Sequence, residues 1–139
     1  MAACAVFSPT WEEATRLTGE AEPAAVFARF RALGGRVLAL RRGPDGADVW
    51  DLQAGRGVHV PAVRAAVVDT VGAGNAFCGA LLARLDEGIG EAACHASAAA
   101  SYLVEQIGLP PSPPDPHNYA RRLDEARAGL VSLVMSREL

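Results

Sequence analysis

Short apolar runs and longer periodic apolar stripes alternate along the chain, and they predict strands and helices respectively. Strands are expected at four short, mostly apolar runs, which span residues 3–7, 36–40, 49–50 and 58–60. Helices are expected where apolar residues recur at helical spacing, which is after Thr10, after Pro23, and over 76–87, 91–106 and 118–134. Because the chain starts with strand, helix, helix and strand, we expect a crossover unit of an α/β fold, with the run at 36–40 in a parallel sheet.

The most distinctive segment reads VVDTVGAGNAFCGALLARL and spans residues 67–85. Its apolar start, its glycine turn and its Ala/Leu-rich end predict a strand, a tight turn and a helix. The first N–H groups of such a helix have no partners inside it, and the helix dipole favours negative charge beside them. Gly72 and Gly74 permit positive φ angles and the close approach of an anion. The turn is therefore a candidate cradle for phosphate oxygens.

Two common phosphate-binding signatures do not fit this turn. A Walker loop needs Gly-Lys-Ser/Thr at the helix start, and the chain contains no lysine. A dinucleotide fingerprint needs a third glycine at the position where Phe77 stands. The turn therefore indicates neither a P-loop nucleoside triphosphatase nor a dinucleotide-binding enzyme.

Composition and charge narrow the classes of partner. With 139 residues, 50% of them hydrophobic, the chain can bury one modest core and is expected to be a single domain. Its net charge of −3 gives no electrostatic reason to expect nucleic acid or an anionic membrane. No apolar run reaches the roughly 20 residues of a membrane span. The three cysteines, Cys4, Cys78 and Cys94, lack metal-ligand spacing and are interpreted as reduced, buried thiols of an intracellular, cytoplasmic protein.

Two further segments carry local chemistry. Thr10 and Glu13 form a Thr-x-x-Glu capping box, in which each side chain satisfies a free N–H at the helix start. Taken alone, this motif indicates only a well-capped helix that ends at Gly19. Arg41 and Arg42 open a turn rich in Gly, Pro and Asp, where the two arginines either meet a phosphate or are simply solvated.

The glycine turn resembles the signature of the ribokinase (PfkB) family of carbohydrate kinases, which reads Asp-Thr-x-Gly-Ala-Gly-Asp before a small residue and Phe. Six of its seven positions match, from Asp69 and Thr70 to Gly74. At the seventh position, Asn75 replaces the Asp that serves the family as catalytic base.

Two other segments resemble motifs of the same family in the expected order. One is Thr10-Trp-Glu-Glu13-Ala with Leu-Thr-Gly behind it, which is similar to the family's Asn-x-x-Glu-Ala except that Thr10 replaces the Asn. The other is the turn at Gly43 and Gly46-Ala, which fits the family's Gly-x-x-Gly-Ala. The resemblance covers nearly all of residues 3–122.

This resemblance implies a ribokinase-like three-layer α/β/α sheet with a short β-hairpin. Residues 1–139 then form a single partial domain, the C-terminal, nucleotide-binding half of the fold, and the N-terminal, sugar-binding half is missing. The implied activity is phosphoryl transfer from ATP to a sugar hydroxyl. The implied partners are ATP and a small sugar or nucleoside, with either a homo-oligomer or a complementing N-terminal half as the assembly.

The resemblance also implies roles for individual residues. Mg²⁺ accompanies ATP, some members bind a monovalent cation as well, and Glu13 and Asp69 are implied as indirect metal ligands. Asn75 stands at the catalytic position. The implied nucleotide-binding residues are Gly72, Ala73, Gly74, Arg42 and Gly43.

Asn75 leaves two functions open. A carboxamide cannot accept a proton at neutral pH, so general-base catalysis, a contribution of roughly 10²–10⁴-fold, is lost. A loose, metaphosphate-like transition state asks little of the base, so slow transfer can survive. The alternative is a catalytically inactive nucleotide-binding or scaffold protein derived from a sugar kinase.

Overall fold

A mixed sheet forms the centre of the fold in residues 6–135, the part of the chain that the computed structural model describes. Strands β1 to β5 lie side by side in chain order and span Val6–Phe7, Val37–Arg41, Ala47–Asp51, Arg56–Val60 and Val131–Val134. β1 and β2 are parallel, whereas the other three neighbouring pairs are antiparallel. The run at 36–40 was expected in a parallel sheet, and this is correct for its pairing with β1. On its other side β2 pairs antiparallel with β3, because the tight turn after β2 brings β3 back in the opposite direction. The strand expected at 3–7 falls partly outside the described residues.

In the same described part of the chain, helices cover both faces of the sheet. Helices α1 to α5 span Trp11–Thr18, Pro23–Ala32, Ala73–Ala83, Ile89–Leu103 and Pro116–Ala128. α1 and α2 pack against Leu38 and Leu40 of β2, whereas α3, α4 and α5 pack on the opposite face against Ala39 and Val49. Successive side chains of a strand point to opposite faces, so β2 contributes to two separate cores. The expected three-layer α/β/α arrangement is confirmed, and β3 and β4 form its hairpin. None of these helices is long and apolar enough to cross a membrane.

The start of α1 follows from its capping box. The Thr10 N–H donates to Glu13 Oε2 over 2.8 Å, and the Glu13 N–H donates to Thr10 Oγ1 over 3.2 Å. The helix ends at Gly19, which has a φ of +74°. Both predicted ends of this helix are confirmed.

The end of the chain differs from the prediction. The helix expected over 118–134 ends at Ala128, and Val131–Val134 forms β5 beside β4. Gly129 is the C-cap of this helix, and Pro61 packs against its bare Cα, where a Cβ would lie 2.5 Å from Pro61 Cγ. The residues after it include the β-branched Val131 and Val134, which favour a strand once the edge of β4 is available.

The segment before the glycine turn is irregular, although a strand was expected at its apolar residues. Val67 and Val68 are 63% and 61% exposed and pair with no strand in the described residues. The N–H groups of Val68 and Asp69 instead donate to the C=O of Val104, over 2.7 and 3.1 Å. This carbonyl follows the last residue of α4, so the helix end replaces a sheet neighbour.

Two of the cysteines lie on α3 and α4. Cys78 is half-buried, Cys94 is buried, and both are free thiols. Burial raises the pKa of the Cys94 thiol to about 11, so the thiol is protonated at neutral pH. Cys4 lies outside the described residues.

Candidate functional site

A cavity of about 490 Å³ lies where β2 ends, between the glycine turn, the turn after β2 and α4. Ligands of open α/β sheets commonly bind at such strand ends. Its lining brings together residues of all three sequence motifs, namely Thr10, Arg41, Gly43, Gly46, Thr70, Ala73 and Gly74. Most of the remaining lining is apolar and comes from the sheet and the helices, including Val60, Val63, Phe77 and Val104.

The glycine turn leaves backbone donors at the start of α3. Gly72 adopts a φ of +85° before the helix and offers no side-chain cap. The first hydrogen bond into the helix runs from the Ala76 N–H to the Gly72 C=O, over 3.0 Å. Within residues 6–135, the N–H groups of Gly74 and Asn75 have no protein acceptor. These two N–H groups can therefore hydrogen-bond an anion.

Neighbouring side chains fix the shape of this turn. Asp69 Oδ1 accepts the Val71 N–H over 3.0 Å, and the Thr70 C=O accepts the Ala73 N–H over 3.2 Å. A Cβ on Gly72 would lie 2.9 Å from Leu103 Cδ2, so α4 packs directly against the turn. Asp69 therefore stabilises the loop and does not line the cavity.

Arg41, the last residue of β2, lies against the bare Cα of Gly74. A Cβ on Gly74 would be only 2.1 Å from Arg41 Nη1. Nε and Nη2 of the guanidinium both donate to the C=O of Ser8, over 3.2 and 2.9 Å. Nη1 has no acceptor among the described residues. The arginine is thus anchored by one side of its planar group and faces the glycine turn with the other.

Arg42 lies in a different environment from Arg41. Its Nε and Nη2 contact Asp48 Oδ2 at 3.1 and 3.0 Å, and its guanidinium carbon lies 4.5 Å from the centre of the Trp11 ring. Asp48 Oδ1 also lies 2.7 Å from His59 Nδ1. Arg42 does not line the cavity, so a role for it in nucleotide binding stays a prediction.

Glu13 turns back toward its own helix. Its Oε2 accepts the Thr10 N–H in the capping box, and the same oxygen lies 3.9 Å from Arg41 Nη2. Asn75 is exposed, and its side chain makes no hydrogen bond within residues 6–135. Neither residue belongs to the lining of the cavity.

In the described part of the chain, the group of side chains spaced for a metal ion lies elsewhere. It consists of Glu87, which lies just before α4, and of Glu91 and His95 on α4. Arg84 pairs with Glu87 over 2.7 Å, and Arg127 pairs with Glu91. These arginines already neutralise both carboxylates.

Sequence reasoning missed Ser97, which fastens the wall of the cavity. Its Oγ donates to the C=O of Pro61 over 2.6 Å and accepts the Val63 N–H over 3.3 Å. The irregular segment after β4 is thereby tied to α4. A serine in an alanine-rich helix was the available signal, but it did not reveal which segment the hydroxyl would bind.

Comparison with known proteins supplies an independent finding. The sequence profile described as pfkB family carbohydrate kinase matches residues 1–116. The structure of Arabidopsis thaliana ribokinase with ribose and ATP is similar, with a TM-score of 0.74 and 31% identity, over 86% of this chain and 40% of that one. Aminoimidazole riboside kinase of Salmonella enterica, complexed with aminoimidazole riboside and an ATP analogue, gives 0.71 and 29%, over 88% and 43%.

The match to a relative found by sequence also covers only part of both chains. An uncharacterised protein of Schizosaccharomyces pombe, C16C9.01c, is 45% identical over an alignment of 58 residues that covers 38% of this chain and 16% of that protein. The chain therefore spans about two-fifths of the length of the two kinases and a smaller share of the yeast protein.

Proposed function

Because the chain belongs to the pfkB family of carbohydrate kinases, we propose that it binds ATP and supplies the nucleotide-binding part of a sugar or nucleoside kinase. One observation carries the proposal. The N–H groups of Gly74 and Asn75, which have no protein acceptor within residues 6–135, and the guanidinium of Arg41 converge on the start of α3, beside the 490 Å³ cavity.

In this proposal the phosphates of ATP lie against the start of α3. The N–H groups of Gly74 and Asn75 donate to phosphate oxygens, and the helix dipole stabilises their charge. Preorganised donors of this kind supply much of the stabilisation in phosphoryl transfer, because little covalent work falls to the protein. The apolar lining around Val63 and Phe77 accommodates the planar base.

The acceptor is a hydroxyl of a sugar or nucleoside held by the rest of a complete kinase. Asn75 cannot take the proton of this hydroxyl, so the reaction lacks its usual general base, a loss of roughly 10²–10⁴-fold. The amide still hydrogen-bonds the hydroxyl and orients it. We therefore propose slow transfer, with binding of the nucleotide retained.

The chain's own carboxylates do not fit a dedicated Mg²⁺ site. One oxygen of Glu13 accepts the Thr10 N–H, and one oxygen of Asp69 accepts the Val71 N–H. Among the described residues, these two carboxylates belong to no group of three ligands close enough to share an ion. No step of the proposed reaction depends on the metal, and the monovalent cation likewise stays a prediction from the resemblance.

The test is isothermal titration of ATP and Mg²⁺ into the full chain, wild type beside Asn75→Asp. Both proteins are expected to bind ATP in excess Mg²⁺, because the Asn75 side chain does not line the cavity. With a sugar-binding half from a family kinase supplied, Asn75→Asp is expected to transfer phosphate at least about 10²-fold faster than the wild type. Absence of ATP binding by a folded chain would contradict the proposal and favour the scaffold alternative.

A further inference from the structure

The charge of the cavity differs from that of a metal-dependent phosphate site. Among the described residues that line it, Arg41 is the charged one, and no carboxylate faces the cavity. The start of α3 carries the neutral Asn75, and Glu13 is turned into its capping box. A nucleoside triphosphate would therefore meet one fixed cation and a positive helix end, without the acidic side chains that usually hold Mg²⁺.

The guanidinium of Arg41 is already held in place for such a role. The backbone N–H of Arg41 donates to the Pro9 C=O over 3.0 Å, and two side-chain nitrogens donate to the Ser8 C=O. A carbonyl is neutral, so these bonds fix the side chain without cancelling its charge. Glu13 at 3.9 Å is the nearby carboxylate, and its side chain is 57% exposed, so solvent weakens this pair.

Arg41 Nη1 also reaches the same point as the backbone donors. It lies against the Cα of Gly74, whose N–H has no protein acceptor within residues 6–135. An oxyanion at the start of α3 can therefore accept from the backbone and from Arg41 at once. Hydrogen bonds from a charged donor to phosphate are about twice as strong as neutral ones.

We propose that Arg41 supplies the positive charge that Mg²⁺ supplies in metal-dependent phosphate sites. This chain then binds a metal-free nucleoside triphosphate about as tightly as it binds the Mg²⁺ complex of that nucleotide. This inference rests on the proposed function and specifies the form of the nucleotide that the site takes.

The experiment titrates ATP into the full chain in EDTA and, separately, in excess Mg²⁺. The wild type is expected to give dissociation constants within about threefold of each other. Arg41→Gln is expected to weaken binding in EDTA by about tenfold or more, whereas Arg41→Lys keeps the charge and restores most of it. Arg31→Gln, an exposed arginine at the end of α2, is the matched control and is expected to bind as the wild type does.

Glu13→Gln separates the two possible roles of this residue by the sign of its effect. Glutamine also completes a capping box, so the helix start is preserved. If Arg41 is the phosphate-binding cation, removing the nearby negative charge tightens binding in EDTA by about twofold. If Glu13 instead organises Mg²⁺, the variant weakens binding in Mg²⁺ and leaves binding in EDTA unchanged, which would overturn the inference.

The remaining outcomes are also decisive. Binding by the wild type in Mg²⁺ alone would overturn this inference and leave the proposed function intact. Binding by Arg41→Gln equal to that of the wild type in EDTA would overturn it as well. Failure of a folded wild-type chain to bind ATP under either condition would overturn the proposed function, and this inference with it.

Discussion

Arg41 lines the cavity, whereas Arg122 lies behind its wall and donates to Ser101, one of the lining residues, and the two arginines have opposite surroundings. Arg122 is 4% exposed, and each of its three guanidinium nitrogens has a partner. Nη1 donates to Ser101 Oγ over 3.0 Å, and Nη2 lies 2.8 Å from both carboxylate oxygens of Glu105. Arg41 has only the Ser8 carbonyl and a carboxylate at 3.9 Å, and its Nη1 is left without an acceptor in the described residues.

Of these two arginines, Arg41 is the one available to a ligand. A fully paired arginine such as Arg122 would have to break short bonds before it could bind anything, and its remaining face is stacked 4.0 Å from the centre of the Tyr102 ring. It holds α5 against the end of α4. Arg41 keeps its charge, and its Nη1, which finds no acceptor in the described part of the chain, lies at the cavity, so a phosphate completes its hydrogen bonds instead of disrupting them.

The largest expected effect is on stability and concerns the buried arginine. Arg122→Met leaves Ser101 and Glu105 without their charged partner, so we expect the free energy of unfolding to fall by about 2–4 kcal/mol. Urea unfolding followed by circular dichroism measures this loss. Arg121→Met is the control, because the neighbouring arginine is exposed, and we expect its effect to stay within about 0.5 kcal/mol. Equal losses in the two variants would contradict the conclusion that the buried partners of Arg122 stabilise the fold.

A smaller effect is expected for a substitution at Gly74, and it concerns the affinity for ATP and not the stability of the fold. Gly74→Ala places a Cβ where Arg41 Nη1 now lies, 2.1 Å away, so the end of this flexible side chain must move. We expect the affinity for ATP to fall about tenfold, or about 1.4 kcal/mol. Isothermal titration measures the change.

Gly79→Ala is the control for Gly74→Ala within the same helix. A Cβ at Gly79 would meet nothing within 4 Å, so we expect unchanged ATP affinity. Its stability should rise by up to about 1 kcal/mol, since alanine favours helices. If both alanine variants bound ATP as the wild type does, Arg41 would have no role at the glycine turn.

Local chemistry allowed much of this fold to be predicted. The capping box of Thr10 and Glu13 needs only residues three apart, and it set the start of α1 correctly. The continuous apolar run in β2 likewise predicted a strand, because apolar residues on both faces require burial on both sides. Residues of all three family motifs line one cavity, because the motifs follow one another along the chain in the order that the family's fold requires.

Features that depend on distant partners could not be predicted. Residues 131–134 became a strand only because the edge of β4 was available, and the segment before the glycine turn was determined by the carbonyl of Val104. Arg41 and Arg42 are adjacent and identical in type, so the sequence could not tell them apart. Their roles diverge because Asp48 on β3 pairs with Arg42 and leaves Arg41 beside the cavity.

His95 is a second buried basic residue, but its ring is neutral where Arg122 is charged. His95 Nδ1 lies 2.6 Å from the Tyr119 hydroxyl, and Nε2 lies 3.5 Å from Glu91, which already pairs with Arg127. Burial lowers the pKa of His95 from its usual value near 6.5, and the charge of Arg84 contributes. Arg122 is therefore buried as a cation with its own carboxylate, whereas His95 is buried as a neutral ring.

The smallest expected effect follows from this neutral state. Since the pKa of His95 is lower in the folded chain than in the unfolded one, the unfolded chain binds more protons once the pH falls below about 6.5. The stabilisation present above that pH is therefore lost on acidification, down to the folded pKa. Urea unfolding at about pH 7.5 and about pH 5.5 measures this loss, and we expect His95→Gln to lose less stability over the interval than the wild type. Identical losses would mean that the His95 ring takes up a proton as easily in the folded chain as in the unfolded one. Burial between α4 and α5 would then not disfavour the charged form of the ring.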